Sequence, residues 1–228
     1  MREDIRDKKK ELRKKILALR DALPLEERQR KSKSIHSRLF SLPEFTRAKT
    51  VAFFVSFRSE VLTETMIKEA LALGRVVVVP ITDLTNRKLT FSRVIDYAAD
   101  LTPGTWDILE PKPDCVRPIA LEEIDLVITP GAVFNHIGDR IGYGGGFYDG
   151  LLKSLQKKGT SVALAFELQV VEEVPVDRDH DEAVDIIITE ETADAITGMH
   201  NWVAECNGKK YVCSYHYGDG AKCTELKQ

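Results

Sequence analysis

The chain has 228 residues, with 33 Lys and Arg against 36 Asp and Glu for a net charge of −3, and a pI near 6.0. That length allows one α/β domain with its own core, and the slight acidity argues against a nucleic-acid binder, which carries a strong basic excess. Residues 1–20 are charged nearly throughout and no run reaches the roughly 18 apolar residues of a membrane helix; the expectation is a cytoplasmic monomer or weak homo-oligomer that acts on a small molecule, with neither nucleic acid nor membrane as partner.

Residues 3–22 read as an amphipathic helix with Ile5, Leu12, Ile16 and Leu19 as its apolar stripe, broken by Pro24. A second helix spans Leu25–Leu42. A strand over Thr50–Ser56 precedes a helix over Glu64–Leu73, with Thr63 as N-cap and Gly74 as its stop, and a strand Val76–Val79 ended by Pro80. Apolar runs at Leu89–Val94, Asp125–Thr129, Ser161–Phe166 and Asp185–Thr189 read as further strands, and Phe147–Lys157 as a helix. Strands alternating with helices imply an α/β fold, a mostly parallel central sheet with helices on both faces, here with a helical N-terminus. Such sheets bind ligands beyond the carboxyl ends of their strands.

Composition shifts after about Thr192, so a main domain over 1–192 and an appended tail over 193–228 are expected. Cys206, Cys213 and Cys223, with His200 and His216, supply ligand types for zinc but lack the short Cys-x2-4-Cys hook of structural sites. A small packed hairpin or a disordered tail is the alternative. With Cys115 far from these three, the spacing argues against a disulfide framework for the whole fold.

The stretch Asp139-Arg140-Ile141-Gly142-Tyr143-Gly144-Gly145-Gly146-Phe147-Tyr148-Asp149 sets four glycines beside an arginine and a carboxylate at a helix start. Residues without a Cβ allow backbone N–H groups to converge on an anion, and the following helix N-terminus adds partial positive charge. Arg140 supplies a permanently charged fork for phosphate oxygens. The glycine spacing fits neither a Walker A loop nor the dinucleotide fingerprint, and a flexible turn before a helix is the plain alternative.

Lys9 and Arg13 share a helix face and can reach one anion, or simply face water. Glu60, beyond the first strand, can accept from a substrate amine or amide, or pair with Arg58. Asp149 can hold a phosphate-bound metal or stabilise its helix N-terminus, and Asp185 is a second candidate, since magnesium commonly uses one or two carboxylates. Trp106 offers an aromatic wall for a planar ligand, or a core anchor.

Together, Lys9-Lys10-Glu11-Leu12-Arg13, Glu60, Asp125-Leu126-Val127-Ile128-Thr129-Pro130-Gly131 running into the glycine stretch, and Val184-Asp185-Ile186-Ile187-Ile188-Thr189 resemble the 5-formyltetrahydrofolate cyclo-ligase family over residues 5–192. The resemblance implies an ATP- and Mg2+-dependent enzyme that converts 5-formyltetrahydrofolate to 5,10-methenyltetrahydrofolate, releasing ADP and phosphate. It implies ATP contacts from Lys9, Lys10, Arg13, Arg140, Gly142, Tyr143, Gly144, Gly145, Gly146, Phe147 and Tyr148, and substrate contacts from Val55, Glu60, Trp106 and Tyr148. Asp149 and Asp185 become the metal ligands, and Arg140 and Tyr148 the catalytic residues. Some relatives have lysine where this chain has Gly145, which puts more of the phosphate charge on Arg140, Lys9 and Arg13. Two other classes stay open: a sugar-phosphate isomerase or CoA-transferase relative that uses no ATP, with Glu60 as base or nucleophile, and a folate-binding regulatory protein without turnover.

Overall fold

The computed structural model describes residues 2–155, 159–195, 200–206, 209–216 and 220–225, with side chains over 4–155 and 159–192. In chain order the elements are α1 (Arg2–Asp21), α2 (Leu25–Ser41), α3 (Pro43–Arg47), β1 (Thr50–Ala52), α4 (Glu64–Ala72), β2 (Val76–Asp83), β3 (Lys88–Val94) and α5 (Tyr97–Asp100). There follow the short strands β4 (Leu101–Pro103), β5 (Leu109–Pro111) and β6 (Pro118–Ile119), then β7 (Leu126–Thr129), β8 (Val133–Asn135), β9 (Arg140–Ile141) and α6 (Phe147–Leu155). The chain continues through β10 (Thr160–Leu164), β11 (Val170–Val171), β12 (Ile186–Ile188), β13 (Ala193–Ala195), β14 (His200–Cys206), β15 (Lys209–His216) and β16 (Gly220–Glu225).

Eight strands form one sheet in the order β13-β12-β10-β7-β1-β2-β3-β6. The five central strands, β12 to β2, run parallel, and β13, β3 and β6 join antiparallel at the margins. The alternation of side chains along each strand divides the core. Val51, Val77, Leu126, Ile128, Val162, Leu164, Ile186 and Ile188 face α2, α3 and α4 through Ile35, Leu39, Phe45, Met66 and Ile67. Their neighbours Ala52, Val78, Val127, Ala163 and Ile187 face α6 through Leu151, Leu152 and Leu155. Helix α1 packs instead on the small sheet β11-β8-β9, with Ile16 against Val133 and Ile141. Among the described residues no helix is long and apolar enough to cross a membrane.

Several expected boundaries move. β1 pairs only over Thr50–Ala52, although the Phe53 N–H still donates to Val78 O at 2.9 Å. Pro80 does not end β2, which continues to Asp83 with Pro80 opposite Phe91. Pairing with β1 stops at Val78, so from Pro80 onward β2 pairs, among the described residues, with β3 alone, and the missing N–H costs no ladder bond on the other side. Thr63 sits at the N-cap of α4 without capping it: its Oγ1 accepts from the Ser56 N–H at 2.9 Å. Gly74 does terminate that helix, at φ +77°, with Arg75 N–H on Ala70 O and Gly74 N–H on Leu71 O in the Schellman pattern.

The stripe on α1 is also rotated from expectation. Leu19 is 51% exposed, while Arg20 is buried below Ile16. Helix α6 is described to Leu155; residues 156–157 of its expected extent lie outside the described residues. Past the boundary expected at residue 192, β13 still belongs to the main sheet, and β14, β15 and β16 form a separate antiparallel sheet of their own. Its register sets Cys213 opposite Cys223. The side chains of the zinc reading, Cys206, Cys213, Cys223, His200 and His216, lie outside the described residues.

Candidate active site

The loops after β1 and β7, the glycine loop and one face of α1 meet near the carboxyl ends of the parallel strands, the place this topology reserves for ligands. Two buried polar residues fix the supporting backbone. Gln169 donates from Nε2 to Gly131 O at 2.9 Å and Ala132 O at 3.1 Å. Asp139 accepts from Asn135 Nδ2 at 3.0 Å and from Arg178 Nη1 at 2.5 Å, closing the turn between β8 and β9.

Arg140, next in the chain, is 3% exposed. Its Nη2 donates to Asp149 Oδ1 at 2.7 Å and its Nη1 to Pro130 O at 3.4 Å. Among the described residues its Nε is buried without a partner, and the centroid of the Tyr148 ring lies 5.9 Å from the guanidinium carbon. A buried, incompletely satisfied guanidinium is costly by itself, and Arg140 keeps hydrogen-bonding capacity beyond its pairing with Asp149. The loop glycines serve this group. A Cβ at Gly142 would stand 2.7 Å from Arg140 Nη1, and Gly144 and Gly146 have φ of +98° and +73°, the left-handed region that other residues enter at a cost. At Gly145 a Cβ would meet the Phe147 ring at 2.6 Å, so the ring must give way before any side chain can stand there.

Helix α1 covers the loop from the other side. Arg13 Nε donates to Gly142 O at 2.7 Å, and burial lowers the guanidinium pKa from its ordinary value. Lys9 Nζ pairs with Asp181 on the strap before β12. The resulting cleft, of about 600 Å³, is lined by six cationic side chains, Arg6, Lys9, Lys10, Arg13, Arg140 and Lys153, against four carboxylates, Asp7, Asp149, Asp179 and Asp181. Excess positive charge around a glycine cradle suits a polyphosphate, and Asp149, a hard oxygen donor beside that cradle, suits a magnesium ion held jointly with phosphate oxygens.

Of the expected ATP contacts, Lys9, Lys10, Arg13, Arg140, Gly142, Gly144 and Gly146 line this cleft, as does Asp149. Asp185 does not. It stands at the amino-terminal end of β12, where its Oδ2 accepts from the Ser161 N–H at 2.7 Å and Ser161 Oγ at 2.6 Å. The expected convergence of Asp149 and Asp185 is therefore absent from this arrangement, and Asp185 ties β12 to β10. Val55, expected to line the substrate pocket, is 4% exposed and belongs to the core under α2 and α4. Trp106 is no core anchor: it is 57% exposed at φ +57° and meets the Phe147 ring edge-on, centroids 6.0 Å apart.

Glu60 does reach the glycine loop, through a partner the sequence did not suggest. It is 7% exposed, its Oε2 accepts from the Phe57 N–H at 2.9 Å, and its Oε1 accepts from the Tyr143 hydroxyl at 2.5 Å. Burial raises its pKa, opposed by those two hydrogen bonds and by Arg20. Burial, and then the charge of Glu60, push the Tyr143 and Tyr148 phenols upward, so both stay protonated donors. Arg20 was missed, because an arginine at the end of a charged helix reads as solvated. Its place four residues beyond Ile16 was the available signal.

A search by sequence family matches residues 5–190 to the 5-formyltetrahydrofolate cyclo-ligase family. The chain is 31% identical to mouse 5-formyltetrahydrofolate cyclo-ligase over 75% of its own length and 88% of the mouse protein. It is 33% identical to 5-formyltetrahydrofolate cyclo-ligase of Escherichia coli (strain K12), over 69% and 87% of the two chains. The solution structure of Aquifex aeolicus 5,10-methenyltetrahydrofolate synthetase superposes with a TM-score of 0.73 at 34% identity, covering 87% of this chain and 97% of that one.

Proposed function

The chain belongs to the 5-formyltetrahydrofolate cyclo-ligase family, and on that premise we propose that the cleft between α1 and the glycine loop binds ATP for the family's reaction. The enzyme converts 5-formyltetrahydrofolate to 5,10-methenyltetrahydrofolate. A formamide oxygen is a poor leaving group. Attack of that oxygen on the γ-phosphorus, with ADP leaving, gives an iminium phosphate; N10 then bonds to the formyl carbon, loses its proton, and inorganic phosphate departs. Such a sequence asks the protein for position and charge rather than for a nucleophile.

The observation that carries the reading is Arg140, buried at the mouth of the glycine loop with Nε free and Nη2 held by Asp149. In our assignment Arg140, the loop N–H groups, Lys9, Lys10 and Arg13 take the phosphates, and Tyr148, its ring beside the Arg140 guanidinium, serves the reacting end. Asp149 would hold the magnesium. When bound, that ion neutralises phosphate oxygens and polarises the transferring group. Glu60 is assigned to the polar edge of the folate, and exposed Trp106 beside Phe147 to its aromatic part.

Titration calorimetry with ATP and Mg2+ tests the assignment. Saturable binding that weakens at least tenfold in Arg140→Ala supports it, since charge-assisted contacts to phosphate are worth about 1.5–3 kcal/mol. Turnover without ATP, or equal ATP affinity in the variant, would remove the nucleotide from this cleft.

A further inference from the structure

Three polar side chains beneath the glycine loop form a chain of hydrogen bonds whose direction is fixed by chemistry. Arg20 Nη1 donates to the Tyr143 hydroxyl at 2.9 Å. A guanidinium only donates, so the phenolic oxygen is the acceptor there and its single proton is left for Glu60 Oε1, at 2.5 Å. Arg20 is itself held at three points: Nε on Ser59 Oγ at 3.0 Å, Nη1 on Gly131 O at 3.3 Å, and the Tyr143 contact. Ser59 Oγ in turn donates to Asp21. One arginine of α1 thus joins the loop after β1, the loop after β7 and the glycine loop.

Tyr143 is half exposed, yet its hydroxyl is turned inward onto Glu60. Its placement depends on the conformation of the glycine loop, whose next residue, Gly144, stands at φ +98°. With one lone pair of each Glu60 oxygen engaged, by Tyr143 and by the Phe57 N–H, the remaining lone pairs have defined directions.

We infer that Tyr143, oriented by Arg20, is a positioning residue for the folate: it aims the Glu60 carboxylate and makes folate binding depend on the state of the phosphate-binding loop. The inference rests on the assignment of Glu60 to the substrate, and it gives Tyr143 a task separate from contact with ATP. Groups from each neighbouring element face Glu60: Arg20 from α1, Tyr143 from the glycine loop, Tyr148 from α6 and the Phe57 N–H from its own loop, with Asp21 behind Ser59. Loss of the Tyr143 hydroxyl leaves the effect of burial less opposed, so the carboxylate protonates at higher pH.

The test is Tyr143→Phe, which keeps the ring and deletes one oxygen, compared with Glu60→Gln. The expected result for Y143F is a kcat/KM for 5-formyltetrahydrofolate about tenfold lower, the loss of one hydrogen bond to a charged group. The acidic limb of its pH profile moves to higher pH and its KM for ATP is unchanged. E60Q is expected to lose at least as much folate kcat/KM and to lose that acidic limb. An impaired E60Q beside a Y143F with wild-type folate kinetics and pH profile overturns the inference while leaving the Glu60 assignment standing. A wild-type E60Q overturns both. A Y143F that raises only the ATP KM also overturns it and makes Tyr143 a nucleotide contact.

Discussion

Replacing Gly142 by alanine adds one methyl group in a place where its cost can be worked from distances. The new Cβ would lie 2.7 Å from Arg140 Nη1, 3.6 Å from Cζ and 3.7 Å from Nη2. The end of a flexible side chain normally yields to such a contact, but this guanidinium is 3% exposed and pinned by Asp149 at 2.7 Å. Either the loop absorbs overpacking strain of about 1–3 kcal/mol, or Arg140 swings away from Asp149 and from the phosphate site, losing about 1.5–3 kcal/mol of charge-assisted contact. Both routes predict a rise in the KM for ATP of about fivefold or more; the KM for folate rises with it only where the loop absorbs the strain, because Tyr143 then moves off Glu60. Steady-state kinetics on G142A, R140A and the double variant check the route. If the methyl acts through Arg140, G142A costs little further in the R140A background, since sites in contact are not additive. Additive losses, or wild-type kinetics in G142A, would refute the account of why glycine stands there.

Changing Asp149 to Asn is expected to raise the Mg2+ concentration for half-maximal activity, whereas Asp185→Asn keeps wild-type Mg2+ dependence and lowers the urea midpoint, because its carboxylate links Ser161 to β12. A magnesium defect in Asp185→Asn would return that residue to the metal site. Asp100 predicts a pH signature of stability: burial opposes its ionisation, but Arg117 and the N–H groups of Ile95 and Asp96 outweigh that and hold its pKa down to about 2. A depressed folded-state pKa stabilises above the unfolded value near 4 and loses that contribution as pH falls through 2, about 2 kcal/mol in all; urea titrations of wild type and Asp100→Asn should converge by about pH 2, and parallel curves would refute it. Removal of residues 196–228, after the last strand of the main sheet, is expected to leave kcat within about twofold, because the described machinery lies before β13. A soluble, folded truncation without turnover would make the tail part of the site.

What was legible in the sequence was whatever depends on local pattern. The runs at Leu126–Thr129 and Ile186–Ile188 are apolar on both faces because helices cover both, and the glycines at 142–146 mark a loop whatever the fold. Pro80 misled, because the penalty of a proline in a strand depends on which side still has a partner, and that is set by where β1 stops. The short strands β8, β9 and β11 carry too few residues for a period, yet their sheet is what seats α1 over the glycine loop. Asp149 and Asp185 were equivalent as strings, each beside an apolar run. Only the topology separates them, one in the cleft and one at the opposite end of its strand. The burial of Arg20 and the inward turn of the Tyr143 hydroxyl were not legible for another reason: both depend on contacts 83 and 123 residues away along the chain.

In the proposed reaction this cleft couples ATP cleavage to closure of the folate ring. The most direct measurement mixes the purified protein with Mg2+, ATP and 5-formyltetrahydrofolate, follows methenyl absorbance, and measures ADP in the same samples. The expected result is a methenyl product that forms only with ATP, with one ADP for each product molecule. Product without ADP, ADP without product, or no methenyl band from a folded protein that binds both ligands would contradict it.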